Sequence, residues 1–318
     1  MPDGGSRNIL VIRLGALGDF VLSFGPMAAI RAHHRKDRIT LLTTDPFRDL
    51  ADSSGYFDEV WTGGRPRRFT PDWFRLGKRL KKGGFDRVYD LQTSRRSRAY
   101  YWMMKPVEWS GNIAGASHPD PNPDRHALHT VERQRGQLAA AGIDAVPAGD
   151  VSWITAPVDE FDLSGSYVLI VPGGSAHRPA KRWPADRYLN LCRRLIRSGR
   201  TPVLIGGSED AALLAAISTT DLAIINLVGQ TSLEQIAVLA RQAEAAIGND
   251  TGPMHLVAMT GCPSLVLFSS SSDPALCAPR PGLQGGAVDI LRRRALEALS
   301  VDTVMERLEA LSGSRDSA

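Results

Sequence analysis

Twice along this chain of 318 residues, a short apolar run leads into a glycine-containing turn and then into a helix-forming segment. In the first half the apolar run is Asn8–Leu14, the turn is GALGD, and apolar residues return at helical spacing over 20–34. In the second half Tyr167–Val171 precedes a loop over 172–184 and a helical segment over 185–198. Strands that alternate with helices form parallel sheets, because each crossover helix returns the chain to the start of the next strand. The pattern predicts an α/β fold with two Rossmann-like domains that face each other across a cleft.

The same alternation continues along both halves and indicates where each domain ends. Further strands are predicted at 39–43, 59–61, 87–91, 202–205, 223–227, 245–248 and 264–268, and further helices at 71–82, 94–104, 129–141, 209–217, 232–243, 253–260 and 301–312. Residues 105–128 are rich in proline and glycine and predict a long loop, and 143–165 has the composition of a linker. We therefore expect one domain over 1–157 and a second over 158–318, with the helix 301–312 packing back on the first.

The composition narrows the class of protein. Hydrophobic residues make up 43% of the chain and charged residues 23%, values typical of globular proteins. The net charge of +4 suits anionic substrates or an anionic membrane surface but is too small to indicate nucleic-acid binding. Three scattered cysteines predict neither a disulfide framework nor a zinc site. Arg13 and Asp19 interrupt the first apolar run, which argues against a signal peptide. We expect a cytoplasmic protein.

The first motif with chemical content is the turn after the first strand, RLGALGD. Gly15 and Gly18 allow a tight turn, and Asp19 lies where the following helix begins. Aspartate is a preferred helix N-cap, so Asp19 has a purely structural interpretation. In open parallel sheets, however, ligands bind beyond the carboxyl ends of the strands. A carboxylate at that place is also a candidate general base. The turn by itself leaves both interpretations open.

Two motifs of the second half suggest a phosphate site. Gly173, Gly174 and Ser175 follow a strand directly, and Lys181 adds a mobile positive charge. The alternative is a surface loop with solvated basic residues. The second motif, GNDTGPMH, places a helix N-terminus with free N–H groups after another strand. Its candidate residues are Asp250, Thr251, Gly252 and His255, and the last of these is as a lone histidine more often structural.

Weaker candidates follow other strands. Glu209 in GGSED could accept a ribose hydroxyl or cap a helix. Asp90 and Gln92 follow the strand at 87–91, and Arg95 opens a basic cluster behind them. That cluster is either a solvated helix face or a site for an anionic acceptor.

These motifs, in this order, closely resemble glycosyltransferase family nine, the ADP-heptose:lipopolysaccharide heptosyltransferases. The resemblance covers most of the chain: the opening ILVIRLGALGDFVLSFGPMAAIR, then DLQTSRRS, HTVERQRGQLAAAGI, PGGSAHRPAKRWP, GGSED and GQTSLEQIAVLARQAEAAIGNDTGPMHL. The combination of the first turn with NDTGPMH is specific, whereas neither would suffice alone. The chain departs from the family pattern at Thr231 and in the loop SSSSDP after Phe268, where GPTDP-like sequences are common.

The resemblance implies a GT-B fold, with the acceptor on the first domain and the nucleotide sugar mainly on the second. Asp19 matches the proposed catalytic base, and Lys181 matches the lysine on the donor phosphates. Asp250 matches the carboxylate near the donor sugar. Further donor contacts are implied for Gly173, Gly174, Ser175, Glu209, Thr251, Gly252 and His255, and acceptor-side positions for Gly18, Asp90, Gln92 and Arg95.

The implied reaction is an inverting transfer of a heptose from ADP-heptose to the lipopolysaccharide core or a related surface glycan. The acceptor is then an anionic glycolipid, which makes peripheral contact with the inner membrane surface an expectation. No metal site is predicted and no cofactor is expected to be required, although a divalent ion could stimulate turnover. A GT-B-type sugar-nucleotide epimerase and a non-catalytic nucleotide-sugar-binding protein remain alternatives. A dehydrogenase is disfavoured, because neither half has GxGxxG followed by a suitably spaced acidic residue.

Overall fold

A computed structural model describes residues 6–104, 107–174, 178–210, 217 and 223–312. The chain divides into two compact units, Met1–Gly149 and Asp150–Ala318, whereas the sequence pattern placed the boundary between 157 and 158. Residues 150–157 belong with the second unit because Arg241 of that unit binds the carbonyl oxygens of Val151 and Ile154, at 2.9 and 2.5 Å.

The first unit is a parallel six-stranded sheet with helices on both faces. Its strands are β1 (Asn8–Ile12), β2 (Arg38–Leu42), β3 (Glu59–Trp61), β4 (Arg87–Asp90), β5 (Glu108–Gly111) and β6 (His118–Pro119). Its helices are α1 (Leu17–Val21), α2 (Phe24–His33), α3 (Arg48–Ser53), α4 (Pro71–Lys82), α5 (Arg95–Met104) and α6 (Thr130–Ala139). The strand order is β3-β2-β1-β4-β5-β6. The core between sheet and helices contains Leu10, Trp73, Tyr100 and Trp109, which are almost completely buried.

The second unit repeats this architecture. Its strands are β7 (Tyr167–Val171), β8 (Thr201–Leu204), β9 (Ile225–Asn226), β10 (Ala245–Asn249), β11 (Ser264–Phe268) and β12 (Val288–Arg292). Its helices are α7 (Ala185–Arg197), α8 (Leu233–Gln242), α9 (Gly252–Met259), α10 (Pro274–Cys277) and α11 (Val301–Ser312). The order β12-β11-β10-β7-β8-β9 is the same winding as in the first unit, read from the opposite edge. The second core includes Trp183 and Tyr188, whose rings meet edge to face at 4.8 Å between centroids.

Each sheet reverses its winding direction at one point. In the first unit this switch point lies between β1 and β4, which pair in parallel, and in the second it lies between β7 and β10. The loops that leave adjacent strands at a switch point diverge to opposite faces of the sheet and leave a crevice, which is where open α/β sheets bind ligands. The four strands at the two switch points are β1, β4, β7 and β10. The loops and helix starts that follow them carry Asp19, Gln92, Gly173 and Asp250, in that order.

Several local predictions are wrong for identifiable reasons. The stretch 105–128 is not a continuous loop, because β5 and β6 form inside it; both are short, and β5 pairs with β4 and buries Trp109. β12 was missed because four of its five residues stay partly or fully exposed at the sheet edge. The single helix predicted over 20–34 is divided at Leu22 and Ser23 into α1 and α2. Most of the helix predicted at 209–217 lies outside the described residues.

The closing helix α11 belongs to the second unit. Val304 and Leu308 are completely buried in the second core, and α11 packs on α7 and on β10 and β11. Among the described residues, no helix is long and apolar enough to cross a membrane.

Candidate functional site

The turn after β1 is built around the buried guanidinium of Arg13. Its Nε and Nη2 donate to the carbonyl oxygen of Asp19 at 3.0 and 2.6 Å, and its Nη1 donates to the carbonyl oxygen of Leu91 at 2.5 Å. Arg13 therefore ties the turn after β1 to the turn after β4. Burial lowers the pKa of Arg13, and the nearby Asp19 carboxylate opposes this effect. Gly15 permits the tight turn, because its φ is +92° and a Cβ there would collide with the ring of Phe47.

Asp19 is not the N-cap of α1. The N-cap is Ala16, and Asp19 lies in the first turn of the helix with its side chain 46% exposed. Its Oδ1 lies 3.4 Å from Nη2 of Arg13. The structure therefore corrects the interpretation of Asp19 as the helix N-cap. The neighbouring Gly18 is buried inside α1 and presents no side chain.

Asp19 lies at a cavity of about 210 Å³ inside the first unit. The wall is mostly polar and includes three arginines: it is lined by Arg13, Asp19, Leu91, Gln92, Thr93, Arg125, His126, Thr130, Arg133, Gln134 and Gln137. We call this the Asp19 pocket. Arg125 is buried against Asp120 at 2.7 Å, which neutralises its charge, whereas Arg13 and Arg133 add positive charge next to Asp19. The pocket thus combines a carboxylate with cations, a suitable environment for a sugar that carries both hydroxyl and anionic groups.

One wall of the Asp19 pocket comes from α6, and we did not single it out from the sequence. Thr130, Arg133, Gln134 and Gln137 line the cavity. Their spacing of three and four residues places them on one face of the helix. Gln134 and Gln137 are buried, although buried helix faces are normally apolar. A polar stripe at helical spacing, on a face that should be buried, is the sequence signal that would have found this wall.

The three other acceptor-side candidates differ in their environment. Gln92 lines the Asp19 pocket, and its Oε1 accepts the backbone N–H of Leu14 at 2.8 Å. Arg95 is exposed at the start of α5 and does not line this cavity. Asp90 is completely buried, and its Oδ1 accepts the backbone N–H groups of Gln92 and Thr93 at 3.1 and 2.9 Å. Its burial corrects the predicted acceptor contact: Asp90 shapes the turn that carries Gln92.

The buried Asp90 should leave a signature in the pH dependence of stability. Burial raises the pKa of Asp90 to about 6, against the opposing effects of its hydrogen bonds and of Arg13. The raised pKa means that, from about pH 4 to 6, the folded state retains a proton that the unfolded state has lost, so the unfolding free energy falls as pH rises. Over this pH range, we expect the unfolding free energy of the wild type to fall by roughly 3 kcal/mol more than that of Asp90→Asn. Urea unfolding of both proteins across this range measures it. Asp49→Asn, at an exposed residue of α3, is the control. If the unfolding free energies of the wild type and of Asp90→Asn change in parallel with pH, the prediction is wrong.

In the second unit, Asn249 joins the loops at the switch point. It is completely buried at the end of β10. Its Oδ1 accepts from the backbone N–H of Trp183 and from the Tyr188 hydroxyl, both at 3.0 Å. Its Nδ2 donates to the carbonyl oxygens of Pro172 and Gly173 at 2.8 and 3.1 Å. Asn249 therefore fixes the glycine loop after β7, a role that we did not assign from the motif GNDTGPMH.

Lys181 and Asp250 form the charged centre of the second unit. Lys181 Nζ lies 2.5 Å from Asp250 Oδ2, and both side chains are mostly buried. Ser272 Oγ donates to the same oxygen at 2.7 Å, so the serine-rich loop that departs from the family pattern contributes to this centre. His255 Nε2 lies 4.0 Å from Asp250 Oδ1. We call Lys181, Asp250, His255 and Ser272 the Lys181 site. The structure brings together three residues that the sequence named separately.

The N-terminus of α9 follows the Lys181 site directly. Thr251 is the N-cap, and its side chain makes no capping hydrogen bond. Within the described part of the chain, its buried Oγ1 has no hydrogen-bond partner. Gly252 and Pro253 occupy the first helical positions, so backbone N–H groups and the positive end of the helix dipole lie beside Asp250. The arrangement fits a diphosphate, whose oxygens would accept from Lys181, from Thr251 and from the helix N-terminus.

The glycine loop after β7 has a different role from the one predicted. A Cβ at Gly173 would collide with the carboxylate of Asp210, and the N–H of Gly174 points at the same carboxylate from 3.4 Å. Arg182 binds Asp210 at 3.2 Å. These glycines therefore let a buried ion pair support the loop, and Asp210, which we did not name, is their partner. Ser175 lies outside the described residues, as does the side chain of Glu209.

Two Rossmann-type units in one chain, each with polar and charged groups at its switch point, define the GT-B class of glycosyltransferase folds. The sequence pattern of "Glycosyltransferase family 9 (heptosyltransferase)" matches residues 73–280. The chain belongs to this family.

Individual relatives agree with that assignment. Lipopolysaccharide heptosyltransferase 2 of Salmonella typhimurium is 37% identical over 119 residues, which are 36% of this chain and 34% of the relative. The match thus spans about a third of that protein's length. A Veillonella parvula protein solved as a glycosyl transferase of family 9 superposes with a TM-score of 0.82 at 19% identity, covering 97% of both chains. An E. coli heptosyltransferase solved with ADP gives 0.75 at 18% identity, covering 95% of this chain and 99% of the other. At these identities the two structures show the same fold.

Proposed function

We propose that this protein is an inverting glycosyltransferase that moves a heptose from ADP-heptose onto a lipopolysaccharide core or a related anionic surface glycan. The observation that carries the proposal is the Asp19 pocket, where a half-exposed carboxylate without a capping role adjoins Arg13 and Arg133 at a switch point. Family membership and the printed activities of the relatives support heptose as the sugar. The relative solved with ADP supports an adenine-linked donor.

In the proposed reaction, Asp19 accepts the proton of an acceptor hydroxyl. The oxygen of that hydroxyl forms a bond to the anomeric carbon of the donor sugar. The bond from that carbon to the phosphate oxygen breaks at the same time, and ADP leaves with the electron pair. Attack from the face opposite to the leaving group inverts the anomeric centre.

The Lys181 site supplies stabilisation of the leaving group. An ammonium has three N–H donors, so the contact with Asp250 leaves two for phosphate oxygens. The N-terminus of α9 adds N–H groups and a partial positive charge. Donors that are already oriented toward developing negative charge are usually the largest single contribution to such catalysis. Asp250 and His255 would then contact the sugar hydroxyls next to the diphosphate.

Two measurements test the proposed function. Thermal-shift titration with ADP-, UDP-, GDP- and dTDP-linked sugars should single out the ADP-linked donor, because a ligand stabilises only the state that binds it. Incubation of ADP-heptose with and without a heptose-deficient lipopolysaccharide core then identifies the reaction. Transfer requires the acceptor and releases ADP. An epimerised sugar nucleotide formed without acceptor would replace the proposal by an epimerase, and donor binding with no product would replace it by a binding protein.

We further propose that turnover needs no divalent cation. The leaving diphosphate would be neutralised by Lys181 and the N-terminus of α9, which carry the positive charge that a metal supplies in other transferases. Excess EDTA should therefore leave the rate of ADP release within about twofold of the untreated rate. A loss of activity in EDTA that Mg²⁺ or Mn²⁺ restores would contradict this part of the proposal while leaving the transfer reaction intact.

A further inference from the structure

Three large aromatic side chains of the first unit are turned to solvent. Phe69 is 80% exposed, Phe74 is 63% exposed and Trp102 is 61% exposed. Single exposed hydrophobic residues are common, but grouped aromatic ones usually mark a surface that binds something. The only other large hydrophobic side chain exposed to this degree in the described ranges is Leu283, in the second unit.

The backbone at Phe69 strengthens the case. Its φ is +63°, in the left-handed region that side chains with a Cβ rarely occupy. Such a conformation is unfavourable, and burial of the ring does not offset it because the ring is exposed. Neither the local backbone conformation nor packing in the core favours a phenylalanine at this position. A role in binding another surface would explain it.

Helices α4 and α5 pack against each other along a seam, and the three exposed aromatic residues lie on these two helices and on the loop before α4. The ring centroids of the buried Trp73 and Tyr100 lie 5.5 Å apart. Phe74 is the residue after Trp73, and Trp102 lies two residues after Tyr100. One turn further on, a Cβ at Gly77 would lie 3.3 Å from the sulfur of Met103.

The loop that carries Phe69 is held against the same seam. Arg68 donates to the carbonyl oxygen of Arg95 at the start of α5, at 3.0 Å. Phe69 therefore lies between the N-termini of α4 and α5.

The surface around this seam is strongly basic. Residues 65–82 and 95–104 contain eleven arginines and lysines and one acidic residue, Asp72, a net charge of +10. The whole chain carries +4, so everything outside these two segments carries −6. All of these basic residues except Arg96 are exposed. Their placement concentrates the positive charge of the protein on one face of the first unit.

The same face adjoins the Asp19 pocket. Arg65 donates to the carbonyl oxygen of Gly15 at 2.9 Å, in the turn that leads to Asp19. The Tyr100 hydroxyl donates to the carbonyl oxygen of Gly64 at 2.7 Å. The loop over residues 62–70 thus runs from the Asp19 turn to the start of the α4–α5 seam.

We infer that this aromatic–basic surface, formed by Phe69, Phe74, Trp102 and the basic residues of 65–82 and 95–104, docks the protein onto an anionic lipid bilayer. Each basic side chain near a bilayer of anionic lipids adds to the attraction between the protein and that bilayer. Aromatic rings favour the interface between headgroups and acyl chains. A soluble protein partner would need shape complementarity, whereas exposed aromatic rings spread among many cations suit a fluid negative surface. A glycolipid anchored in that bilayer would present its sugar beside the Asp19 pocket.

Sedimentation with vesicles tests the inference without any substrate, so its outcome is independent of the proposed transfer reaction. Vesicles of phosphatidylglycerol and phosphatidylcholine at about 3:7 should bind the wild type, and pure phosphatidylcholine should not. The triple variant Phe69→Ser, Phe74→Ser, Trp102→Ser should bind at least about tenfold more weakly. Added salt should weaken binding of the wild type because it screens the charges.

Matched variants separate this surface from general effects of charge and hydrophobicity. Leu283→Ser removes an equally exposed residue of the second unit and should leave binding unchanged. Reversal of two charges on α4, Lys78→Glu with Lys81→Glu, should weaken binding strongly. The same reversal on α7, Arg193→Glu with Arg197→Glu, should weaken it much less.

Three outcomes would overturn the inference. The first is equal loss in the two charge-reversal variants, and the second is wild-type binding by the triple aromatic variant. A third is unchanged vesicle binding together with loss of a dimer in analytical ultracentrifugation, which would assign the surface to a second copy of the chain. If the triple variant melts at a lower temperature, its weaker binding could reflect partial unfolding. The single variant Phe74→Ser then serves in its place, because Phe74 is exposed and its change should leave the fold intact. This single variant should still bind vesicles more weakly than the wild type.

Discussion

Asp19→Asn is expected to abolish turnover, with kcat falling by about a thousandfold or more while the affinity for the donor stays nearly unchanged. Asparagine has the shape of aspartate but cannot take a proton from the acceptor hydroxyl. The donor contacts proposed at the Lys181 site lie on the second unit and do not involve Asp19. Single-turnover measurement of ADP release, together with calorimetric titration of the donor analogue, separates the chemical step from binding.

The structure offers a close control for this substitution. Asp49→Asn makes the same chemical change at an exposed residue of α3 and should leave kcat and KM unchanged. Asp19→Glu should retain a small part of the activity, because a carboxylate remains but is displaced. If Asp19→Asn keeps more than about a tenth of the wild-type kcat, Asp19 is not the base.

Lys181→Ala is expected to lower kcat/KM by about a hundredfold or more and to weaken binding of ADP at the same time. Loss of the ammonium removes a positive charge from the departing diphosphate and from the bound donor alike. It also leaves the mostly buried Asp250 carboxylate without its ion pair, which should destabilise the fold. Steady-state kinetics with ADP titration measure the first two effects, and thermal unfolding measures the third.

The double variant Lys181→Ala, Asp250→Asn tells a structural role from a catalytic one. It removes the unpaired buried charge, so it should recover much of the lost stability. If Lys181 acts on the donor phosphates, kcat/KM of the double variant should lie well below that of Asp250→Asn alone. If Lys181 served only to neutralise Asp250, the double variant and Asp250→Asn would have the same kcat/KM. Arg178→Ala, at an exposed cation of the same loop, is the control and should have little effect on either quantity.

The candidate sites of the two units differed in how far the sequence could predict them. The Lys181 site was predictable because its residues follow strands and open a helix, features with clear signals in the sequence. The wall of the Asp19 pocket was not, because Arg133, Gln134 and Gln137 lie in the middle of a helix far along the chain from Asp19. Nothing in the local pattern says which strand end a distant helix face will approach.

The sequence also failed to identify the buried polar residues that hold the loops of the second unit. Asn249 and Asp210 hold the glycine loop of the second unit through hydrogen bonds and an ion pair, yet neither differs in the sequence from an exposed loop residue. Asp90 shows the converse. Its position after a strand suggested an acceptor contact, and complete burial makes it a residue that shapes a turn.

The sequence by itself determined the class of fold, because hydrophobic periodicity and glycine turns are local and repeat in every βαβ unit. It also determined that Asp19 follows the first strand, but it left helix capping and catalysis as alternatives. The tertiary structure excluded capping by placing Ala16 at the N-cap, and it surrounded the carboxylate with Arg13 and α6, while the role of Asp19 as a base stays a prediction. The physical reason is that capping depends on a few neighbouring residues, whereas the environment of a carboxylate depends on groups brought together from distant parts of the chain.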